Sequence, residues 1–149
     1  MAEVVSVKVT GLAELQKNLE QIPPKIAKGV LRRGLAAGAR VFQNEMKIRA
    51  ARATGFLIEH IAIRVRARGD DLQGIALVGP TKSDYPRRNA ERGGKGRTIS
   101  AATVARFLEF GTSKMKARPF IRQSFETKKN AALDAFVDAA KAAFEAATR

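Results

Sequence analysis

The first fifty residues change from strand-like to helix-like spacing of their apolar positions. Val5, Val7 and Val9 alternate with polar residues, and a period of two is typical of a half-buried strand. The leucines that follow have helical spacing, which predicts a short helix over about residues 12–21. Ile22-Pro23-Pro24 should end this helix, because proline lacks an amide donor and restricts the residue before it.

The longest helical pattern covers about residues 25–52 and contains two apolar rows. The rows are Ile26, Val30, Ala37, Val41 and Ile48, and Leu31, Leu35, Phe42 and Met46. Gly34 and Gly38 lie between the rows, where small residues let another backbone approach closely. A helix with so wide an apolar arc is expected to pack against a sheet on one side and a second helix or a neighbouring subunit on the other.

A return to a period of two predicts a β-hairpin in the middle of the chain. Apolar residues alternate with mostly arginines over residues 61–67, so this strand should have one arginine-bearing face. Gly69-Asp70-Asp71 supplies turn residues, and residues 72–78 are predicted as the returning strand, ended by Gly79-Pro80. With the N-terminal strand, the hairpin predicts a small antiparallel sheet packed on the long central helix and a C-terminal helix, an α+β fold.

The segment from residue 81 to residue 100 has few apolar residues and no periodicity. A stretch of this kind inside a compact domain is usually functional or disordered until a partner binds, and we expect it to be a flexible basic loop in isolation. Ser100 can cap a helix over about residues 101–110, and Gly111 can end it. A final alanine-rich helix is predicted over about residues 119–147.

Length and composition predict one domain over residues 1–149, with the basic loop inside it. No apolar run approaches the roughly 20 residues of a membrane-spanning helix, and Glu3 is unlike a secretory signal. The absence of cysteine excludes disulfides and thiolate metal sites, and it fits a reducing cytoplasm. We therefore expect a soluble protein with no membrane partner.

Positive charge is concentrated in two stretches of the chain. The 28 Lys and Arg residues against 14 Asp and Glu give a net charge of +14, and residues 25–52 and 82–97 supply 11 of those charges. Such a field attracts nucleic-acid phosphates, acidic protein surfaces or acidic lipid without choosing among them. No base-reading motif accompanies it, so any DNA contact should be insensitive to sequence. The basic residues predicted to face DNA or an acidic partner are Arg32, Arg40, Arg64, Arg66, Arg68, Arg87, Arg88, Arg92, Lys95 and Arg97.

No group of residues predicts catalysis. His60 is the only histidine and lies beside a strand, where a structural or solvent-facing role is favoured over a base or a ligand. Asp70 and Asp71 are at a predicted turn, where solvated acids are ordinary. The Gly-Gly-Lys-Gly run at residues 93–96 lacks the spacing of a phosphate-binding loop. We therefore predict no catalytic residue, cofactor, metal or small-molecule substrate.

Two apolar clusters flank a glycine turn between residues 106 and 121. Phe107 and Phe110 precede Gly111, which can end a helix, and Pro119 and Phe120 begin the next ordered segment. Four phenylalanines of this region are expected to belong to the core first and to an interface second. They are Phe107, Phe110, Phe120 and Phe125.

Glu109 lies within this apolar helix end, and two roles are open for it. It can pair with Arg118 as a bidentate partner and fasten the turn to the next helix, or it can take part in a subunit contact. The pairing is favoured, because an unpaired buried carboxylate is costly.

The segment Phe-Leu-Glu-Phe-Gly-Thr at residues 107–112, followed by Ala-Arg-Pro-Phe-Ile at 117–121, resembles the signature of a bacteriophage family. It is the family of tail-completion proteins, or minor tail components, of long-tailed phages. The opening strand, the long helix, Thr54-Gly55-Phe56-Leu57 and the closing helix support the resemblance more loosely. Lys116 departs from it, since many relatives have proline there, and the basic insertion at residues 82–97 is a second departure.

The resemblance implies an α+β structural virion protein that is not an enzyme and forms a homo-oligomeric ring in the neck between head and tail. The implied partners are other copies of the chain, the neighbouring head-completion and tail-terminator or tail-tube proteins, and packaged DNA. The implied location is the virion, after assembly in the host bacterial cytoplasm. A nonspecific nucleic-acid-binding module is the alternative. The residues implied at a subunit interface or signature turn are Phe107, Glu109, Phe110, Gly111, Arg118, Pro119 and Phe120.

Overall fold

The computed structural model describes residues 12–50, 55–67, 73–84 and 99–148. Three predicted features lie outside these ranges: the N-terminal strand at residues 5–9, the hairpin turn at 69–71 and most of the basic loop. The described elements are five helices and one two-stranded antiparallel sheet, so the predicted α+β class is confirmed.

Two prolines separate the first two helices, α1 (Leu12–Glu20) and α2 (Pro24–Arg49). Pro24 occupies the first helical position of α2, where the missing amide hydrogen costs nothing. The Pro23 carbonyl accepts hydrogen bonds from the amides of Ile26 at 2.9 Å and Ala27 at 3.1 Å. The predicted interruption at these prolines is therefore confirmed.

The sheet consists of β1 (Ile61–Ala67) and β2 (Gly74–Pro80). The exposed positions of β1 are Arg64 and Arg66, which alternate with half-buried residues as the period of two predicted. The prediction that Gly79-Pro80 ends β2 is wrong, because the strand continues through both residues. In the described part of the chain β2 has only β1 as a neighbour, and proline is tolerated on such an edge strand.

Three further helices complete the fold: α3 (Phe56–Glu59), α4 (Ala101–Phe110) and α5 (Ile121–Thr148). The bounds of α4 agree with those predicted, and α5 begins two residues later than predicted. The single turn α3 was not expected, because four residues are too few to show a periodicity.

The chain forms two compact units. The first unit contains residues 1–41, 64–77 and 128–149, and the second contains residues 42–63 and 78–127. Both α2 and α5 therefore contribute to each unit, and each unit has its own buried cluster.

In the first unit, α2 and α5 pack closely through small residues. The buried cluster joins Ala27 and Val30 of α2 to Ala140 and Ala143 of α5. At Gly38 the approach is so close that an added Cβ would lie 2.8 Å from the carbonyl oxygen of Ala132. The predicted close approach at the glycines of the long helix is confirmed.

In the second unit, a larger cluster joins α2, α3, β1 and α4. Its buried members are Met46, Ala50, Leu57, Ile61, Ala101, Ala105 and Phe120. Ile48 had been assigned to an apolar row of the long helix, yet its side chain is 64 % exposed. The apolar face predicted for α2 is therefore too wide at the C-terminal end of the helix.

Candidate functional site

Helix α4 is fixed at both of its ends. At its start, the Ser100 hydroxyl accepts a hydrogen bond from the Thr103 amide at 3.3 Å, as an N-cap residue does. At its end, the Gly111 amide donates to the Phe107 carbonyl at 2.8 Å. Both caps were predicted from the sequence. The side chains of the last turn of α4 are therefore presented by a rigid segment.

Gly111 has a conformation and surroundings that only glycine satisfies. Its φ is 76° and its ψ is −179°, a region that residues with a Cβ rarely occupy. A Cβ at this position would lie 2.9 Å from both the Ala117 amide nitrogen and the Met115 carbonyl oxygen. The chain turns back on itself here, and the turn needs a residue with no side chain.

A tight turn follows Gly111 and returns the chain to α4. The Thr112 amide donates to the Met115 carbonyl at 2.9 Å, and the Met115 amide donates to the Thr112 carbonyl at 3.2 Å. The Arg118 amide then donates to the Leu108 carbonyl at 2.7 Å. Backbone hydrogen bonds thus hold the turn in place, although its side chains are exposed.

Glu109 joins α4 to the start of α5. One carboxylate oxygen, Oε2, accepts from the Phe120 and Ile121 amides at 2.9 Å each, and Oε1 accepts from the Arg122 amide at 3.0 Å. These amides belong to the residue before α5 and to the first two residues of α5, and they have no acceptor within the helix. The carboxylate therefore acts as a cap supplied by another helix, and its negative charge is favourable at a helix N-terminus.

The predicted ion pair between Glu109 and Arg118 is wrong. Within the described residues Glu109 makes no ion pair, and the Arg118 side chain is exposed. Three backbone amides satisfy the carboxylate instead, which removes the cost of leaving it unpaired. The sequence did not indicate this role, because the free amides at the start of a later helix leave no side-chain signal.

The four phenylalanines of this region do not share one environment. Phe120 is 3 % exposed and belongs to the core, as predicted. Phe107, Phe110 and Phe125 are 40 %, 70 % and 57 % exposed, so the prediction that they belong to the core is wrong. Phe125 stacks on Phe42 with ring centroids 5.3 Å apart. Phe107 and Phe110 lie three positions apart on α4 and face solvent.

The exposed phenylalanines of α4 form what we call the aromatic patch. Arg106, Phe107, Phe110, Gly111 and Thr112 line an open surface depression. Of the seven residues expected at a signature turn, this depression brings together Phe107, Phe110 and Gly111. Glu109 is hydrogen-bonded to the amide of the buried Phe120, Pro119 is half-buried, and Arg118 is exposed in the segment between the turn and α5.

The predicted basic surface is partly described. Arg32, Arg40, Arg64 and Arg66 are exposed, and all four belong to the first unit. The remaining predicted residues lie outside the described residues; they are Arg68, Arg87, Arg88, Arg92, Lys95 and Arg97.

Helix α2 has more exposed cations than the prediction named. Lys25, Lys28 and Arg33 are also exposed there, and no acidic residue occurs between Pro24 and Asn44. With Arg32 and Arg40 they form a row that we call the α2 basic stripe. Within the described residues none of these cations has an ion-pair partner. The ion pair of α2 joins Arg49 to Glu45 instead.

The two ends of the basic loop are held together. Asp84 and Ser100 form an antiparallel bridge, and the Ala101 amide donates to the Ser83 carbonyl at 2.8 Å. The Ala102 amide donates to the Thr81 carbonyl at 3.0 Å. The described residues on the two sides of the loop, 81–84 and 99–102, therefore lie together at the start of α4.

His60 has a structural role: its Nδ1 donates to the Phe56 carbonyl at 2.8 Å, and its ring stacks on that of Phe56. Within the described ranges no three His, Cys, Asp or Glu side chains group as metal ligands do. Every helix in those ranges is too short or too polar to cross a bilayer.

The chain matches a known protein family. The family model described as "Bacteriophage HK97-gp10, putative tail-component" matches residues 13–111, which is well over half of the chain. The matched range runs from α1 to Gly111 and so includes both phenylalanines of the aromatic patch. No significant match was found among curated proteins or among solved structures.

Proposed function

Because the chain belongs to the HK97-gp10-like family of bacteriophage tail components, we propose that it is a structural protein of the joint between phage head and tail. In this proposal it completes the tail, copies of it form a ring, and the ring acts in virion assembly and genome passage. The family supports a role in the virion that involves no catalysis.

The observation that carries this proposal is the aromatic patch. Phe110 is 70 % exposed and Phe107 is 40 % exposed, although burying a phenylalanine is favourable by about 1.5–3 kcal/mol. Both project from a helix that is capped at its start and ended by a glycine turn. Exposed apolar side chains on a rigid support are typical of a protein–protein contact, because little order is lost when a partner binds.

The other signature residues have supporting roles in this proposal. Glu109 fixes the start of α5, Gly111 permits the turn, and Phe120 anchors it in the core. Arg118 is exposed and can reach an acidic group on a neighbour. The partners are other copies of the chain and the adjoining head-completion and tail-terminator or tail-tube proteins.

The α2 basic stripe gives such a ring a second property. Repetition around an axis multiplies five exposed cations per copy into a collar of positive charge. Such a collar can balance the phosphates of passing DNA without reading its sequence. This contact is part of the proposal for genome passage.

A double substitution of the aromatic patch tests the proposed assembly. Phe107→Ser with Phe110→Ser should leave the fold intact, because both side chains face solvent, and should lower incorporation into particles by at least about tenfold. Ile48→Ser is the matched control, since Ile48 is an exposed apolar residue outside the patch. Incorporation is measured by complementing a phage that lacks the gene. Normal particles with the double variant would contradict the proposal.

The alternative is a nonspecific nucleic-acid-binding module, and the α2 basic stripe favours it. The two functions differ in what the isolated chain does with random duplex DNA. Tight binding by the monomer that weakens steeply with salt would support the alternative, whereas weak binding would support the assembly role.

A further inference from the structure

One face of the two-stranded sheet combines exposed aliphatic and exposed basic side chains. Ile75 and Leu77 of β2 are 64 % and 61 % exposed, and Arg64 and Arg66 of β1 are exposed as well. The strands are antiparallel and have seven residues each, so Arg64 lies opposite Leu77 and Arg66 opposite Ile75. We call these four residues the outer sheet face.

The opposite face of the sheet is the one that packs on the protein. An added Cβ at Gly74 would meet the side chains of Leu31 and Leu35, so β2 lies directly against α2 there. Ala76 and Val78, which alternate with Ile75 and Leu77 along β2, are half-buried. When an antiparallel sheet has one solvated face, that face is normally polar. Ile75 and Leu77 depart from this rule, which points to a partner surface.

Helix α5 has a surface of the complementary charge in the same unit. Asp134, Asp138 and Glu145 are exposed, and their spacing of four and seven residues places them within one narrow stripe. Lys141 is exposed in the same stripe, seven residues after Asp134 and four before Glu145, so three acids and one lysine give the stripe a net charge of −2. Ala131 and Ala142 are exposed beside it, so the stripe is acidic with a small apolar margin.

We propose that the outer sheet face of one copy binds the acidic stripe of α5 in a neighbouring copy. This inference rests on the proposed ring, and it names two surfaces that meet in it. Arg64 and Arg66 would face carboxylates, and Ile75 and Leu77 would cover the exposed alanines. Because the two surfaces differ, the contact is head-to-tail, which is the kind of contact that closes a ring.

Charge and shape favour a second copy over DNA as the occupant of the outer sheet face. Phosphates would satisfy the two arginines, but they would leave Ile75 and Leu77 facing a charged backbone. Within the described residues, Asp134, Asp138 and Glu145 have no ion-pair partner of their own. The acidic stripe offers both the charge and the small side chains that this face lacks.

Charge reversal tests the contact in the full-length chain. Arg64→Glu with Arg66→Glu, and separately Asp134→Lys with Asp138→Lys, should each weaken self-association by at least about tenfold, because like charges then meet across the interface. The variant with all four changes restores opposite charges and should associate like the parent chain. Sedimentation equilibrium without DNA measures the association, and circular dichroism checks the fold.

Lys25→Glu with Lys28→Glu is the matched control, because it changes the net charge by the same amount on the α2 basic stripe. It should leave self-association within about twofold of the parent. The inference is overturned if either reversed pair associates like the parent, or if the fourfold variant stays as weak as the pairs.

Cross-linking provides an independent measurement, because the chain has no cysteine of its own. A chain with Ile75→Cys is mixed with a chain with Asp138→Cys at the highest soluble concentration and oxidised. The yield of the disulfide dimer between these two chains should exceed the yield from a mixture of the Ile75→Cys and Ile48→Cys chains. Equal yields, or a parent chain that stays monomeric throughout, would overturn the inference.

The proposed function and this contact fail in different ways. If the aromatic-patch variant loses assembly while charge reversal has no effect, the ring stands and this contact is wrong. If neither set of variants changes assembly, the ring itself is wrong.

Discussion

At the scale of single residues, Glu109 shows how one carboxylate can organise a turn. Its two oxygens accept three amide hydrogen bonds at the start of α5 while its backbone belongs to α4. One side chain therefore supplies three of the hydrogen bonds that hold these two helix ends together. This makes Glu109 a positioning residue for the aromatic patch.

Glu109→Gln should lower the free energy of unfolding by about 1–2 kcal/mol, because an amide keeps only one accepting oxygen and loses the charge. Glu126→Gln is the matched control. Glu126 is exposed on α5 and its side chain makes no hydrogen bond or ion pair in the described structure, so its change should stay within about 0.5 kcal/mol. Urea denaturation of both variants measures the difference. Equal stability would show that the three hydrogen bonds contribute little.

At the scale of elements, the contact between α2 and α5 depends on glycines with different surroundings. Gly38 faces the Ala132 carbonyl at the helix contact, whereas an added Cβ at Gly29 would meet no atom within 4 Å. Both glycines lie inside α2, so they share the same helix propensity. Comparing alanine substitutions at Gly38 and Gly29 therefore separates the effect of packing on stability from the effect of backbone entropy.

Gly38→Ala should destabilise the chain by about 1–3 kcal/mol, because its Cβ would lie 2.8 Å from a backbone oxygen and the helices would have to separate. Gly29→Ala should instead stabilise it by about 0.5–1 kcal/mol, since alanine is the better helix former. Thermal unfolding of the two variants measures the expected loss of stability and the expected gain. A stabilising Gly38→Ala would mean that the helix contact is looser than the structure has it.

The elements were largely predictable from the sequence, because their signals are local. The caps Ser100 and Gly111, the alternation in β1 and the prolines before α2 each act within a few residues. The side-chain environments at the candidate site were less predictable. Whether Phe110 or Ile48 is buried depends on which distant segment packs there, and the acceptor role of Glu109 depends on where α5 begins.

At the scale of the whole molecule, positive charge is distributed over separate surfaces. The α2 basic stripe and the arginines of β1 are exposed in the first unit, and the basic loop begins and ends in the second. Distinct surfaces can serve distinct partners, so removing one should not remove all functions of the chain. The loop is the part that can be tested without changing the buried clusters.

Replacing residues 87–97 by a short Asn-Gly turn should leave the free energy of unfolding within about 1 kcal/mol of the parent, because Asp84 and Ser100 already bring the ends together. We expect the same variant to block the joining of heads to tails, since it removes four arginines and one lysine. Denaturation and complementation of a phage lacking the gene measure the two outcomes. Normal infectivity would exclude the loop from the joining step.

The closed base of the loop has a practical consequence for engineering. Each doubling of the length of a flexible insert between residues 84 and 100 adds only about 0.6 kcal/mol of closure entropy. A peptide epitope or a small fluorescent domain can therefore be spliced in at this point with little effect on folding. A chain carrying such a reporter would make its position in a finished particle visible by microscopy.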